Sequence, residues 1–286
     1  MVRHELAAFG LHDVVARALL EDVGGGDLTT EACIDPDAMA VASAVARSAV
    51  VVCGGPVFRE VFLAVDPGLA VLGVAEEGAL ASPGSTLWQV RGRARSILMG
   101  ERVALNSVQR MVGIATLTRS YVDAVPSPPP GQERVRIIDT RKTTPGLRAL
   151  ERYAVRVGGG HNHRDNLGSA VLIKDNHIVA SGGVREAIQR ARARAPHTSR
   201  IECEVDSLEQ LDVALDAGAD IVLLDNMSDA TITEAVRRAK GRAITEASGG
   251  ITLARIPGLA ATGVDVISVG ALTHSVKAAD IGLDFA

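Results

Sequence analysis

The sequence has 286 residues, 47% of them hydrophobic and 22% charged, so the chain can bury a substantial core and divide into two domains. Its 30 Lys and Arg against 34 Asp and Glu give a formal net charge of -4, which predicts neither nucleic acid nor an anionic membrane as a partner. No stretch approaches the ~20 apolar residues of a spanning helix, and the N-terminus lacks a signal-peptide pattern. We therefore expect a cytoplasmic protein.

The first hundred residues mix helical and strand patterns without a repeat. "LHDVVARALLEDVG" has helical spacing, whereas "AVASAVARSAVVVCGG" and "LAVLGVAEEGALAS" are typical of strands closed by turns. A long helical pattern begins at Ser96 and stops before the proline-rich segment from Pro126 to Glu133. That linker-like segment predicts a domain boundary or an exposed connection.

After the linker, short β-branched runs alternate six times with amphipathic helical segments between Val135 and Thr273. This alternation predicts a parallel sheet with helical crossovers, and the near-continuous apolar strands predict that both faces are covered. A complete eight-unit barrel needs about 250 residues, so the segment favours an incomplete or small α/β barrel. Periodicity alone leaves an open doubly wound sheet as the alternative.

Three cysteines, Cys33, Cys53 and Cys203, are far apart in the chain and odd in number. This spacing argues against both a disulfide framework and a zinc site. We expect all three to be small residues of the core, because free cysteines are among the most buried residues.

Cationic side chains follow the first two predicted strands of the βα series. Arg141 and Lys142 come after the first strand, in "IIDTRKTTPG", and Lys174 comes after the second. His163 and Arg164 lie in the intervening loop. Because functional groups gather at the carboxyl ends of parallel strands, these residues predict a site for a substrate with several negative charges.

Two acids follow the next strands, and they require a different role. Glu204 and Asp225 would repel a polyanion unless they hold a metal ion or accept hydrogen bonds from hydroxyl groups. Mg²⁺ that bridges to phosphates, with one or two carboxylates and mostly water as ligands, meets both requirements. The alternative is that the two acids simply neutralise Lys142 and Lys174.

Glycine turns follow the last two strands, in "EASGGIT" and "SVGALTHS". Backbone N–H groups in such turns bind phosphate, so we expect a phosphate cradle made of Ser248, Gly249, Gly250, Gly270 and Ala271. The chain has no Rossmann fingerprint and no Walker A sequence. His161 and His163 have no third metal ligand of a suitable type nearby in the sequence, which argues against zinc.

These motifs together resemble the quinolinate phosphoribosyltransferase family, also called nicotinate-nucleotide pyrophosphorylases (carboxylating). The resemblance covers almost the whole chain, through "EDVGGGDLTT", "GERVALNSVQRMVGIATLTRSYVDAV", "DTRKTTPGLRALERYAVRVGGGHNHR", "LIKDNHI", "EVDSLEQL", "LLDNM", "EASGGIT" and "SVGALTHS". It implies an N-terminal α/β sandwich domain before an incomplete parallel α/β barrel. On this basis we place the sandwich at 1–112, joined by the C-terminal tail 274–286, and the catalytic barrel at 113–273.

The resemblance also implies an activity. The family transfers phosphoribose from phosphoribosyl pyrophosphate (PRPP) to quinolinate with decarboxylation, giving nicotinate mononucleotide, pyrophosphate and CO2 in de novo NAD biosynthesis, with Mg²⁺. It implies a homodimer or higher homo-oligomer whose sites take residues from both subunits. It would place Arg102 across the dimer interface, in the partner's site.

The family's site residues fall on matching positions of this chain. Its quinolinate site corresponds to Arg102, Thr140, Arg141, His163, Arg164 and Lys174. Its site for PRPP and phosphate corresponds to Lys142, Glu204, Asp225, Ser248, Gly249, Gly250, Gly270 and Ala271. Within that set the resemblance makes Lys142, Glu204 and Asp225 catalytic, and it makes the two acids ligands of Mg²⁺, directly or through water.

Asp165 and Asn166 depart from the family pattern, in which an apolar or small residue is more common, so fine substrate preference does not follow from the resemblance. Three other functions stay open. The chain could be an enzyme that forms a Schiff base on Lys142, a paralogue that transfers phosphoribose to another pyridine acid, or a binding protein without catalysis.

Overall fold

The computed structural model describes residues 10–128, 131 and 133–286. Within these residues the chain divides into two compact units. The first unit holds the described chain up to Arg119 together with Thr143–Gly159 and Leu272–Ala286, and the second holds the described parts of Ser120–Lys142 and Gly160–Ala271. The start of the chain, residues 1–9, and part of the proline-rich linker lie outside the described residues.

The helices in chain order are α1 (Leu11–Val23), α2 (Leu28–Cys33), α3 (Gly55–Val65), α4 (Ala94–Asp123), α5 (Arg148–Val157), α6 (Asp175–Ser181), α7 (Val184–Arg194), α8 (Leu208–Asp216), α9 (Asp229–Ala239), α10 (Ile256–Ala261) and α11 (Ala271–His274). A short 3-10 turn at Leu253–Arg255 precedes α10. Over the part of the chain that is described, no helix combines the length and the apolar character needed to cross a bilayer.

The strands in chain order are β1 (Met39–Ala46), β2 (Val50–Val51), β3 (Ala70–Gly73), β4 (Leu80–Ala81), β5 (Thr86–Arg93), β6 (Arg136–Ile138), β7 (Val171–Ile173), β8 (Ile201–Val205), β9 (Ile221–Asp225), β10 (Ile244–Ser248), β11 (Val266–Ser268) and β12 (Ile281–Phe285). They form a four-stranded sheet, a six-stranded sheet and the short pair of β2 and β4.

The first unit is built on an antiparallel sheet with the strand order β12-β1-β5-β3. In β1 every second residue, Ala42, Ala44 and Ala46, is fully buried, as expected for a strand with one face on a core. The C-terminal strand β12 completes the sheet, with Ile281 opposite Ala46 and Phe285 opposite Ala42. Residues from the two ends of the chain therefore share one sheet.

α5 belongs to the first unit, although it follows β6 in the sequence. Its Leu150, Tyr153, Ala154 and Val157 recur at helical spacing and are buried. The Tyr153 hydroxyl donates a hydrogen bond to Glu77 at 3.0 Å. The helix predicted as the first crossover of the parallel sheet therefore packs with the N-terminal part of the chain.

The unit boundaries differ from the predicted domain boundaries in three places, the smallest being Leu272 and Thr273, predicted as the end of the barrel, which lie in the first unit. α4 is continuous from Ala94 to Asp123, so it crosses the predicted boundary at 112/113, and the units divide after Arg119. Gly113 lies directly after the predicted boundary, but α4 continues through it. Thr143–Gly159, predicted as part of the barrel, lies in the first unit because it carries α5.

The second unit contains the six-stranded parallel sheet, with the order β6-β11-β10-β9-β8-β7. The first two strands in sequence, β6 and β7, are its two edges, and no pairing joins them among the described residues. Residues after β6 and a residue of β7 nevertheless line the same cavity. The sheet therefore curls into a barrel that stays open between β6 and β7, which confirms the predicted incomplete α/β barrel.

The cysteine prediction is wrong at one position. Cys53 and Cys203 are buried, but Cys33 is exposed at the end of α2. The reason is that α2 has six residues and buries only Thr30, so it offers Cys33 no core to enter.

Candidate functional site

The second unit encloses a cavity of about 640 Å³ at the carboxyl ends of its parallel strands. This volume suits one or two small substrates. It brings together many of the predicted site residues, namely Thr140, Arg141, Lys142, His163, Arg164, Lys174, Glu204, Asp225, Ser248, Gly249 and Gly250. The rest of its lining is Leu172, Leu223, Asn226, Glu246 and Ser268.

Three predicted site residues lie elsewhere. The described residues that line the cavity do not include Arg102, Gly270 or Ala271. Arg102 lies on α4 in the first unit, where its side chain is 59% exposed and its Nη2 is 3.9 Å from the Glu101 carboxylate. Gly270 and Ala271 follow β11, whose last residue, Ser268, does reach the cavity.

Two guanidinium groups form much of the cationic side of the cavity. The Nε of Arg141 is buried and has no hydrogen-bond partner among the described atoms. Arg164 donates from Nη1 to the carbonyl oxygen of Ala170 at 2.9 Å. Burial, and then the nearby charge of Arg141, lower the pKa of Arg164. An unpartnered buried donor costs about 1–3 kcal/mol, more when it is charged, so this pair is arranged to receive an anion.

Asp139 ties the end of β6 to the segment that carries His163. Its side chain is fully buried. One carboxylate oxygen accepts the backbone N–H of His163 at 2.7 Å, and the other accepts from the Asn162 side chain at 2.6 Å. The acid in "IIDTRK" therefore holds the cationic loop in place, a role that the sequence prediction did not assign.

Lys174 links the cationic side of the cavity to its acidic side. Its Nζ lies 2.9 Å from Oε2 of Glu204, and the two side chains are 46% and 16% exposed. This ion pair is what the alternative role of the acids, neutralisation of the lysines, predicts for Glu204. Asp225 instead accepts a hydrogen bond from the side chain of Asn226 at 2.8 Å. An ion pair this exposed contributes about 1 kcal/mol or less, so a ligand can replace it.

The turn after β10 requires glycine at position 249 because of its backbone conformation and its close packing against Asn226. Gly249 has φ +88°, and a Cβ on it would lie 2.2 Å from Oδ1 of Asn226. Asn226 in turn has φ 54° and donates its backbone N–H to the carbonyl of Ser248 at 3.0 Å. The Gly249 position is therefore fixed by close packing in addition to any contact with a ligand. Gly250 has φ +57° with open space where a Cβ would lie.

A cluster of three titratable side chains lies deeper in the barrel, made of His163, Glu202 and Glu246. The Nε2 of His163 is 3.3 Å from Oε2 of Glu202 and 3.7 Å from Oε1 of Glu246. Each glutamate is only 4% exposed, and the Oε1 atom of each has no hydrogen-bond partner within the described residues. Burial, together with the charge of Glu202, raises the pKa of Glu246 to about 7.

His163 is subject to two opposing influences. Burial lowers its pKa, but the hydrogen bond to Glu202 and the charges of Glu246, Glu202 and Asp139 outweigh burial and raise it. Against this, the backbone N–H of Arg164 donates to Nδ1 at 2.6 Å, which requires Nδ1 to carry no proton. We assign the neutral ring with its proton on Nε2, because this form satisfies the contacts of both nitrogens.

Sequence reasoning missed Glu202 and Glu246, although the strand pattern carries a signal for both. Side chains two residues apart in a strand share a face. Glu202 lies two residues before Glu204, and Glu246 lies two residues before Ser248. One potential ligand atom from each of His163, Glu202 and Glu246 lies within 4.8 Å of the other two, a spacing that is compatible with a bound cation.

Glu204 and Asp225 fit the implied Mg²⁺ by the chemistry of their donor atoms. Both are carboxylates on the neighbouring strands β8 and β9, and both line the cavity. Mg²⁺ prefers hard oxygen ligands and is usually held by one or two carboxylates. The contact of Glu204 with Lys174 competes for one of them.

Comparison with known proteins gives a consistent result. The family description for the C-terminal domain of quinolinate phosphoribosyl transferase matches residues 114–284, and that for the N-terminal domain matches residues 27–112. The chain is 47% identical over 280 residues to nicotinate-nucleotide pyrophosphorylase (carboxylating) of Mycobacterium leprae, across 95% of this chain and 96% of that relative. It is 43% identical over 265 residues to the probable nicotinate-nucleotide pyrophosphorylase (carboxylating) of Bacillus subtilis, across 93% of this chain and 90% of the relative. The crystal structure of NadC from Streptococcus pyogenes matches with a TM-score of 0.91 and 41% identity, over 99% of each chain.

Proposed function

The chain belongs to the quinolinate phosphoribosyl transferase family, and from this premise we propose that it joins quinolinate to PRPP. The products are nicotinate mononucleotide, pyrophosphate and CO2. The reaction is a pentosyl transfer followed by loss of the carboxylate next to the ring nitrogen, and it supplies a precursor of NAD.

The observation that carries the proposal is the buried Nε of Arg141, which has no partner among the described atoms and lies near a second guanidinium group, that of Arg164. The pKa of Arg164 is lowered mainly by burial and further by the charge of Arg141. Two adjacent carboxylates on a pyridine ring supply planar acceptors for both groups. We therefore propose that quinolinate contacts Thr140, Arg141, His163, Arg164 and Lys174.

The acidic side of the same cavity supports a place for PRPP. Ser248 lies directly opposite Asp225 in the paired strands β10 and β9, and the Gly249–Gly250 turn continues from it. Carboxylates accept hydrogen bonds from ribose hydroxyls, whereas the backbone N–H groups of the turn accommodate phosphate. We assign Lys142, Glu204, Asp225 and the turn Ser248–Gly250 to PRPP. The resemblance alone supports adding Gly270 and Ala271.

The chemistry needs two kinds of group. Breaking the bond between the ribose anomeric carbon and pyrophosphate develops positive charge on the sugar and negative charge on the leaving group. Glu204 and Asp225 stabilise the sugar cation, and Lys142 stabilises pyrophosphate. The cations around quinolinate align its ring nitrogen with the anomeric carbon, which is mainly a positioning effect.

Mg²⁺ is part of the proposal, with Glu204 and Asp225 as its ligands, directly or through water. When bound, the ion would neutralise negative charge on the pyrophosphate. The hard oxygen donors of the two carboxylates support this assignment.

A homodimer is also part of the proposal, and it would give Arg102 a role in the partner subunit's cavity. Two observations support the idea. Arg102 belongs to the first unit and is not among the described residues that line this cavity, and its side chain is more than half exposed.

The experiment is a product assay with quinolinate, PRPP and Mg²⁺. We expect equal amounts of pyrophosphate, CO2 and nicotinate mononucleotide. Binding of quinolinate without release of pyrophosphate would instead mark a binding protein. Covalent trapping of a carbonyl substrate by borohydride at Lys142 would mark a Schiff-base enzyme.

A further inference from the structure

Glu246 differs from the other carboxylates of the cavity. It is 4% exposed, yet it lines the cavity, as does Leu223, its partner on β9. Its Oε1 has no hydrogen-bond partner within the described residues. Glu204, by contrast, contacts Lys174. A buried carboxyl in the wall of a substrate cavity can exchange a proton with a bound molecule without competition from bulk water.

The groups around Glu246 favour its protonated form. Glu202 on β8 and Glu246 on β10 are both buried and lie close together around His163, so a charge on both is costly. Burial and the charge of Glu202 raise the pKa of Glu246 to about 7, although His163, the Ser268 hydroxyl and Lys174 act in the other direction. Nε2 of His163 lies 3.3 Å from Oε2 of Glu202 and 3.7 Å from Oε1 of Glu246, so the ring N–H points to Glu202. Glu246 is therefore the carboxyl of the pair whose protonated form the surroundings favour.

The proposed function creates a need for one proton at a defined atom. After phosphoribosyl transfer, the bond between C2 of the pyridine ring and its carboxylate breaks. CO2 leaves, and the electron pair stays on C2 beside the positively charged ring nitrogen. This carbanion becomes nicotinate mononucleotide only when C2 gains a proton.

We propose that Glu246 donates that proton. Its O–H bond breaks as the C2–H bond forms from the electron pair left by CO2, and the resulting carboxylate takes a proton from water before the next turnover. The step rests on the proposed function, since only a decarboxylating transfer leaves a carbanion at C2.

The other groups described in the cavity are less suited to the step. The proton on Nε2 of His163 is directed to Glu202. Lys174 is assigned to a quinolinate carboxylate, where it is needed as a cation, and its side chain is 46% exposed. Arginine does not release a proton under these conditions, which removes Arg141 and Arg164 from consideration. Glu246 is thus the described cavity residue that combines burial with a proton to give.

The test is Glu246→Gln, which keeps a neutral side chain of nearly the same size and removes only the acidic proton. Quinolinate labelled with ¹⁴C in its 2-carboxylate is mixed with PRPP and Mg²⁺, and pyrophosphate and ¹⁴CO2 are followed separately by rapid quench. We expect pyrophosphate release in the first turnover within about twofold of wild type. We expect net CO2 release slowed by roughly 100-fold, because a carbanion that is not protonated recombines with CO2 still held in the cavity, and quinolinate mononucleotide should accumulate.

The pH dependence gives a second readout. In the wild type, the rate of CO2 release should fall as the pH rises through about 7, because the donor loses its proton. Glu246→Gln should lack this fall. Glu246→Asp should recover part of the rate, since it restores a carboxyl group. Glu202→Gln removes the neighbouring charge, so it should lower the pKa of Glu246 and shift the fall to lower pH.

Glu209→Gln is the matched control, because Glu209 is an exposed glutamate on α8, away from the residues that line the cavity. It should leave both steps unchanged. The proposal is overturned if Glu246→Gln releases CO2 at the wild-type rate, or if both steps slow in parallel. A divalent metal bound one-to-one in the wild type and lost in Glu246→Gln would also overturn it, by making the cluster a cation site.

The same assay separates this inference from the proposed function. If the wild type releases no pyrophosphate from quinolinate and PRPP, the proposed function fails. If the wild type makes all three products and Glu246→Gln matches it in both steps, only the proton-donor inference fails.

Discussion

The two sides of the cavity come from different parts of the sheet. The cationic side is made of residues next to the two edge strands in sequence. Arg141 and Lys142 come after β6, Arg164 comes before β7, and Lys174 comes directly after β7. The acidic side lies on three strands that pair consecutively, β8, β9 and β10, and consists of Glu204, Asp225 and Glu246. One side is therefore assembled at the open seam of the barrel and the other within its continuous sheet.

The two sides also differ in how their charge is balanced. On the acidic side, Glu204 has Lys174 as a partner, and burial and the charge of Glu202 raise the pKa of Glu246 to about 7, so that part of its population is neutral at neutral pH. On the cationic side, Arg141 keeps an unpartnered buried donor among the described atoms and Arg164 has a lowered pKa. The buried donor of Arg141 can thus receive an anion, in the same cavity whose acidic side faces a developing sugar cation.

The largest expected effect follows from removing the unpartnered donor. Arg141→Ala should lower kcat/KM for quinolinate by roughly 1,000-fold, because loss of one partner of a buried ion pair costs about 3–5 kcal/mol. Steady-state kinetics with saturating PRPP measures this. Arg190→Ala, at an exposed position on α7, is the control and should change little. A loss below about tenfold would mean that the donor does not receive the substrate.

Nicotinate should be a poor substrate, with a kcat/KM at least about 100-fold below that of quinolinate. It lacks one carboxylate, so the cationic side keeps an unpaired buried charge at a cost of roughly 3 kcal/mol. The two acids are compared side by side with the same PRPP concentration. Comparable values of kcat/KM for the two acids would show that the cationic side does not require the second carboxylate.

The two lysines should separate into different kinetic effects. Lys142→Ala should lower turnover by tens-fold and leave quinolinate affinity within about twofold, since we assign Lys142 to the pyrophosphate that gains charge in the transition state. Lys174→Ala should weaken quinolinate binding roughly tenfold, about 1.4 kcal/mol. Calorimetric titration with quinolinate and single-turnover rates distinguish them. Equal quinolinate affinities in the two variants would remove the distinction.

A smaller effect tests whether the cationic side is completed by a second subunit. Arg102→Ala and Lys142→Ala, each nearly inactive, are mixed under conditions of subunit exchange. If Arg102 acts in the partner's cavity, each mixed dimer has one intact site. About half of the dimers are mixed, so activity should recover to roughly a quarter of wild type. No recovery, with exchange verified by mass-labelled subunits, would place Arg102 in its own subunit's site.

Much of this arrangement follows from the sequence. The alternation of β-branched runs and helices gives the parallel sheet, and residues directly after each run, such as Arg141, Lys174 and Asp225, line the cavity. This works because the carboxyl ends of parallel strands meet at one edge whatever the order of the strands.

Other features depend on tertiary contacts that no local pattern encodes. Glu202 and Glu246 lie within strands and read as interior strand residues until their faces are compared with those of Glu204 and Ser248. α5 has the pattern of a crossover helix, but contacts such as that of Tyr153 with Glu77 assign it to the first unit. The seam between β6 and β7 follows from β6 pairing with β11, which is the most distant strand of the series in sequence.

A crystal structure of the chain with quinolinate bound would show directly whether Arg141 receives the substrate. We expect one carboxylate oxygen within about 3.2 Å of Nε of Arg141 and the second carboxylate in contact with Arg164 or Lys174. Quinolinate bound outside this cavity, or an Arg141 Nε that stays without a partner in the complex, would contradict this expectation.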